Sequence, residues 1–527
     1  MKKNLLPLVV NTSRPQVDIF DLNFRDSYMH NVYIEAYKGG HSETQQVFAV
    51  KRPGMNNNPV SAPSGGTGIG VGCFMSQNQT STNIYYGVKY GANLYVYHFN
   101  DSVTTLTYNA VSFNSSAYPI LMFSNVGLPD DSVNVAITNG DTIAYTKGAA
   151  SVGTEGPGSG APWGFGTQLT HVVYLNNRVF VGSTNNGQIY QSDLGNFFNF
   201  PSTEWITPEA YGGKLVDLGR YNNYIVAFKE YSTEFFEDVA NQNGSVLGRV
   251  EQAVQQVGCV NPATIVDTGG GEMIWVTNDE SGRKRVQKLN NSFNLQDITD
   301  PYLAKYLELM GSYDGSFAFL TSVAGKQFYV LSIAATYYPT ASSTDISNIT
   351  FVYDLELGLW YNWYTDGTGT LPTFGGFSYR TLGRWLVSGS AKSKFSTTYV
   401  QKMDTGSLYQ LDDSYGVDIN STITVKLRFN NIDCDIFNRK FLNNVTILAD
   451  TYTQATYTYT VGWYTNEGAR GTTRTISSYY LAPYEATGRA FGSFKRGTLE
   501  ITNTQNAKLR ISGVILDYDV GEGYGIS

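Results

Sequence analysis

A chain of 527 residues exceeds one ordinary domain and points to two to four units, or to one large β array with an appendage. Its 39 Tyr, 28 Phe and 54 Gly, with frequent Asn and Thr, mix strand formers with turn formers, and 36 Lys plus Arg against 44 Asp plus Glu give a formal charge of −8. With no basic run this excludes a dedicated DNA-gripping role, and three scattered cysteines, Cys73, Cys259 and Cys434, exclude a disulfide framework and a CxxC zinc pair, leaving buried free thiols.

The opening, MKKNLLPLVVNTSRPQ, imitates an export signal, but Pro7 interrupts a short apolar stretch, so it reads as an ordered or docking arm. No apolar run approaches the roughly 18 residues of a membrane helix. The expectation is a soluble chain made in a reducing compartment, with no membrane insertion by its own sequence. Residues 56–72, NNNPVSAPSGGTGIGVG, and 151–166, SVGTEGPGSGAPWGFG, are rich in Gly, Ser and Pro and read as long loops.

From about residue 83 one pattern recurs: turn residues, an alternating apolar strand, a second turn, and a strand that often ends in acids. Weaker copies are NIYYGVKYGANLYVYHF from Asn83 and SVNVAITNGDTIAYTKG from Ser132. Clearer ones start at Asn176 (NNRVFVGSTNNGQIYQSD), Asn222 (NNYIVAFKEYSTEFFED), Gly270 (GGEMIWVTNDESGRKRVQKL), Gly325 (GKQFYVLSI, continued by ITFVYDLELGLWYNW) and Gly383 (GRWLVSGS, continued by YVQKMDTGSLYQLDD). Starts spaced by roughly 45 to 60 residues are the period of four-stranded propeller blades, six or seven of them. Strands such as Ile225 to Phe228 are apolar on both faces, as strands sandwiched between blades must be.

Helix is expected only at DPYLAKYLELM, where Asp300 can cap, Pro301 fits the first position, and Leu303, Tyr306, Leu307 and Met310 share a face that would pack on the ring's edge. After Tyr415 the blade pattern gives way to alternating strands such as STITVKLRF, KFLNNVTILAD and KLRISGVILDYDV, which read as a β-sandwich. The expected fold is therefore all-β: an N-terminal arm and glycine-rich docking loop over 1–75, a β-propeller of six or seven blades over 76–415, and a C-terminal β-sandwich over 416–527.

Chemistry is sparse. His30, His41, His98 and His171 are not spaced as a metal pair, GGTGIGVG fits neither phosphate-loop pattern, no GxSxG occurs, and Asp412, Asp413 and Asp418 lack calcium-loop spacing, so that segment reads as a polar inter-domain turn. The hairpin YNNYIVAFKEYSTEFFED carries Glu230, Glu234, Glu237 and Asp238, and paired acids are what a glycoside hydrolase needs. Glu230 and Glu234 share a face, but at roughly 3.3 Å per residue their backbones lie about 13 Å apart, too far for a retaining pair. A blade hairpin is the expected reading, with no catalytic, cofactor-binding or metal-binding residue assigned.

The run from VVYLNNRVFVGSTNNGQIYQSDLGNFFNF through IVAFKEYSTEFFEDVANQNGSVLGRVEQAVQQVGCVNPATIV to MIWVTNDESGRKRVQKL resembles the packaged-DNA stabilisation family of short-tailed phages. Glu234 with Phe235 and Phe236, Gly244 to Arg249, and Gly258 with Cys259 match that family's pattern. RPGM at Arg52 to Met55 resembles its opening, and GSLYQLDD near Asp412 its last blade. The chain departs from the pattern in an insertion around Pro339 to Asn348 and in its Thr- and Tyr-rich C-terminal region.

The resemblance implies a tail nozzle or hub: a homohexameric ring beneath the portal and its adaptor, carrying fibres or spikes, retaining packaged double-stranded DNA and passing it without specific binding. No cofactor and no catalytic residue belong to that pattern. Trp360, Tyr361 and Trp363 would then serve subunit interfaces, or ordinary blade packing. The alternative is a glycan-binding or glycan-cleaving propeller of a phage tail.

Overall fold

The structure, a computed structural model, describes residues 2–8, 27–38, 45–55, 69–77, 82–90, 93–100, 106–107, 122–126, 135–138, 142–147, 150–156, 160–164, 167–309, 313, 316–333, 349–363, 365–366, 379–380, 384–386, 398–401, 408–412, 416–418, 421–434, 436, 438–450, 456–465, 470–479 and 482–521. Strand formers prevail, and the fold is all-β. Among the described residues helix is confined to Pro301–Leu309 and two 3-10 turns. Ala304 N–H donates to the Asp300 carbonyl at 2.8 Å, closing the first helical turn, and Leu303 and Leu307 are buried as expected. The helix packs on strand Lys284–Leu289; Met310 lies outside the described residues.

Among the described residues five blades form sheets of their own, fewer than the six or seven expected. Their first strands are Ile69–Gln77, Met122–Asn125, Val173–Leu175, Leu215–Tyr221 and Gly258–Cys259; the first four meander through antiparallel neighbours, and in the fifth both Gly258–Cys259 and Val266–Asp267 pair with Met273–Asn278 before the meander goes on. Two more repeats exist but are merged into larger sheets. Phe317–Val323, Lys326–Ile333, Ile349–Asp354 and Trp360–Asn362 join a 15-stranded sheet, while Arg384–Leu386, Thr398–Gln401 and Leu408–Asp412 join a six-stranded one.

The turn residues that announce each copy have a conformational reason. Asn176 and Asn177 both have positive φ, 49° and 60°, between paired Leu175 and Arg178, the type I′ geometry whose twist matches a two-residue hairpin. Ala324 and Gly325 repeat it, at 50° and 81°, between Val323 and Lys326. Burial on both strand faces follows from the stacking of blades. Ile225, Ala227 and Phe236 of the fourth blade pack with Phe180 and Ile189 of the third, whereas Val226, Phe228 and Phe235 pack with Met273 and Trp275 of the fifth. Each of the Val, Ile, Met and Phe side chains among them contributes roughly 1.5–3 kcal/mol by leaving water.

One expected loop is partly strand. Ala150–Glu155 pairs with Ile143–Lys147 as the outer edge of the second blade, and its Gly153 is where a Cβ would lie 2.7 Å from the Phe198 ring of the next blade. Glycine there serves ring packing across blades, which in sequence looks like flexibility. The other, 56–72, lies outside the described residues up to 68, and its end is strand from Ile69.

The C-terminal strands form a large sheet system that recruits the N-terminal stretch. Lys2–Leu6 and Gln45–Lys51 pair with Arg510–Val520, Val32–Lys38 pairs with Gln45–Lys51, and Tyr28–His30 pairs with Val425–Ile432. A single core holds Val32, Ile34, Leu427, Val461, Trp463, Val445, Ile447, Ile501 and Leu516, with Phe328 and Trp363 of the blade-like unit above.

Candidate functional site

The acidic hairpin lies in the fourth blade, Tyr224–Lys229 paired with Thr233–Asp238, and Glu234 sits opposite Ala227. Glu234 is fully buried and both its oxygens are engaged. Oε1 accepts from the Ala210 backbone N–H at 3.0 Å and faces Lys229 Nζ at 3.7 Å, while Oε2 faces Arg249 Nη1 at 3.4 Å. Lys229 Nζ donates to the carbonyls of Pro208, at 2.9 Å, and Tyr211, and Arg249 Nε donates to Glu251 Oε1 at 2.8 Å. Two cations and two carboxylates thus close on themselves around the linker 208–211 between the third and fourth blades. The cluster holds a chain crossing and leaves no oxygen facing a substrate.

The neighbouring acids are placed differently. Glu230 Oε2 caps the Lys214 N–H at 3.2 Å, Asp238 accepts from Asn176 Nδ2 at 3.0 Å and from Ala240 N–H at 2.9 Å, and Glu237 is exposed on the outer half of the strand. These acids order turns rather than converge. The hairpin expected from the sequence is what the fold contains.

The described histidines stay apart. His171 is bound by the fully buried Asp217, whose oxygens accept the His171 backbone N–H at 2.7 Å and lie 2.5 Å from Nδ1, joining the third and fourth blades. His30 stacks on Tyr28 at 4.2 Å between ring centroids, and burial together with Lys426 and Arg428 pushes its pKa down to about 3. His98 lies in strand Asn93–Asn100, and His41 lies outside the described residues. All three cysteines are free, and burial pushes the Cys259 thiol far up, which keeps it protonated and unreactive. Among the described residues no three His, Cys, Asp or Glu side chains gather as a metal group.

Trp360, Tyr361 and Trp363 are buried within the chain. Trp360 Nε1 donates to the Ile298 carbonyl at 2.7 Å and Trp363 Nε1 to that of Val32 at 3.1 Å, while Tyr361 Oη accepts from Ile34 N–H at 3.2 Å. They bind their strand group to the fifth blade and to the N-terminal strand, so they are packing residues buried within the chain.

Sequence reasoning missed the most elaborate polar site. Asp418, read as part of a polar turn, takes both guanidinium nitrogens of Arg52, with Nη1 to Oδ1 at 3.0 Å and Nη2 to Oδ2. Arg52 Nε donates to Asn31 Oδ1 at 2.9 Å, Arg52 Nη1 to the Pro53 carbonyl at 2.8 Å, and Met55 N–H to Asp418 Oδ1 at 3.3 Å. The available signals were RPGM and GVDIN, two short motifs some 360 residues apart whose complementarity only the fold reveals. Asp412 ends strand Leu408–Asp412, and Asp413 lies outside the described residues.

The family model described as Bacteriophage P22 Gp10, beta-propeller, matches residues 72–346, just over half of the chain. The chain belongs to this family. Membership in the phage Gp10 propeller family agrees with the blades described above and with the resemblance carried by Glu234 to Cys259. No curated protein sequence matches the chain. A solved structure titled glycoside hydrolase is similar at 10% identity over 85% of this chain and 97% of its own, with a TM-score of 0.23, too low to bear on fold or activity.

Proposed function

We propose that this chain is a structural protein of a phage virion, the nozzle or hub of a short tail, acting as conduit and plug and not as an enzyme. The family match over residues 72–346 carries the reading. The buried, fully engaged Glu234 supports it by removing the best candidate acid from chemistry. In this reading six copies form a ring beneath the portal adaptor, carry fibres or spikes, and let double-stranded DNA pass without specific binding.

We further propose a seven-bladed ring and a C-terminal sandwich. The units beginning at Phe317 and Arg384 are the sixth and seventh blades, since Phe317–Val323 packs against Arg384–Leu386, and Arg384–Leu386 against Ile69–Gln77 of the first. The C-terminal strands are read as two layers of a sandwich, with the shared core that runs from Leu427, Val461 and Ile501 to Val445, Ile447 and Leu516 lying between them.

The deciding experiment is the assembly state of the purified chain, by light scattering and electron microscopy, alone and with an adaptor ring. Closed six-fold rings are expected. A monomer that turns over polysaccharide, with the rate lost in Glu230→Gln or Glu237→Gln, would support the glycan reading instead.

A further inference from the structure

We infer that Asn243–Gly244, in the loop joining the last two strands of the fourth blade, is a site of spontaneous covalent modification, where the chain deamidates to a mixture of aspartate and isoaspartate. The reaction needs no enzyme or cofactor, only water. The backbone nitrogen of Gly244 attacks Cγ of Asn243, and the new C–N bond closes a succinimide. The Gly244 N–H proton passes to the departing amide nitrogen, which leaves as ammonia. Water then opens the ring. Cleavage of the new Cγ–N bond leaves aspartate in a normal backbone, and cleavage of the original peptide C–N bond leaves isoaspartate, with the backbone routed through the side chain.

Geometry separates this site from a second copy of the same dipeptide. At Asn186–Gly187 both reacting groups are held. Gly187 N–H donates to the Ser183 carbonyl at 2.9 Å, Asn186 Nδ2 donates to Gln188 Oε1 and to Tyr190 Oη at 2.8 Å each, and Asn186 Oδ1 accepts from the Gln188 N–H at 3.0 Å. That asparagine must give up these bonds before it can react, and each one adds to the barrier. At Asn243–Gly244 neither the side-chain amide nor the Gly244 N–H has a hydrogen-bond partner among the described residues. Both residues are exposed, and a Cβ at Gly244, whose φ is 76°, would meet nothing within 4 Å. Free groups in open space reach the near-attack geometry most often. A third copy, Asn139–Gly140, lies outside the described residues. Only the base of the loop is tied, Val239 N–H to the Val246 carbonyl at 2.9 Å and Asn241 Nδ2 to the Ser245 carbonyl at 3.1 Å. The product therefore carries its new carboxylate, and any added backbone methylene, beyond the ladder that ends with Asp238 opposite Leu247. The formal charge of −8 becomes one unit more negative while the blade keeps its register.

Peptide mapping by mass spectrometry, on the full-length chain aged in warm, mildly alkaline buffer, follows both sites at once, and isoaspartyl methyltransferase labelling marks the isoaspartate. In the folded chain Asn243 is expected to convert at least about tenfold faster than Asn186. In concentrated urea, where the bonds around Asn186 are gone, the two sites are expected to convert at similar rates. No conversion at Asn243, or equal rates in the folded chain, overturns the inference. A gap of the same size in urea overturns it too, because the difference would then lie in the flanking sequence and not in the fold.

Discussion

Glu234 shows how far a single residue can mislead a reader of sequence. In a linear string it is one of four acids, with two more glutamates within four residues, and nothing local says that Lys229, Arg249 and the Ala210 N–H will surround it. Strand spacing alone was enough to separate Glu230 from Glu234. The clamp itself was not legible because its parts come from a strand, an edge strand and a linker. Glu234→Gln leaves Lys229 buried without the carboxylate that faces it, and is expected to lower stability by about 3 kcal/mol while abolishing no reaction. Denaturant midpoints check the first half, and a hydrolytic rate lost with the fold intact would contradict the second. His30 gives a second residue-scale test. Its folded pKa of about 3 lies below the ordinary 6.5, since burial, Lys426 and Arg428 all oppose the imidazolium, with Glu500 paired to Lys426 at 3.0 Å. As pH falls below 6.5 the unfolded chain takes a proton that folded His30 refuses until about pH 3, so stability drains away over that window by up to about 1.4 kcal/mol per pH unit. Between pH 6 and 4 the unfolding free energy of His30→Gln should fall less steeply than that of the wild type; parallel slopes would contradict the assignment.

At the scale of elements, the hairpins were legible and the seams were not. Asn-Asn pairs and Gly325 marked turns because residues tolerant of positive φ fit them, and strands apolar on both faces announced that each blade is covered on both sides. The merging of the last two repeats into larger sheets was invisible, since it depends on Tyr28–His30 meeting Trp360–Asn362 and on Gly54–Met55 meeting Leu408–Asp412, pairings with no local signature. Gly258 is the sharpest seam residue. A Cβ there would sit 2.2 Å from the Lys229 carbonyl oxygen and 2.3 Å from the Glu230 carbonyl carbon, backbone atoms of the preceding blade that cannot rotate away. Gly258→Ala is therefore expected to cost about 3 kcal/mol by forcing the fourth and fifth blades apart. Gly212→Ala, where a Cβ meets nothing within 4 Å, is the matched control. Equal melting temperatures for the two variants would show that the seam yields.

For the whole molecule, the proposed nozzle role raises the question of how a tube made of such chains would treat DNA. Each Lys or Arg that reaches a phosphate adds a salt-dependent grip that slows a passing duplex, so a conduit should hold its cations back. In the described blades several are held back by neighbouring carboxylates. Arg178 faces Glu204 at 3.9 Å, Arg249 Glu251 at 2.8 Å, Arg285 Glu308 at 2.8 Å, Lys288 Glu272 at 2.8 Å and Lys326 Glu356 at 3.0 Å. With a net charge of −8 over the chain, the field around the molecule opposes phosphate as well. Composition made this much legible, whereas the pairing of individual cations required the fold. The purified chain is accordingly expected to bind duplex DNA at physiological salt no more tightly than the ~10⁻⁴ M end of non-specific binding, with a shallow dependence on salt. Fluorescence anisotropy of a labelled duplex across a salt series measures both quantities. Micromolar or tighter binding that weakens steeply with salt would mean that the protein retains DNA by electrostatic grip, and that closure of the tube need not be mechanical.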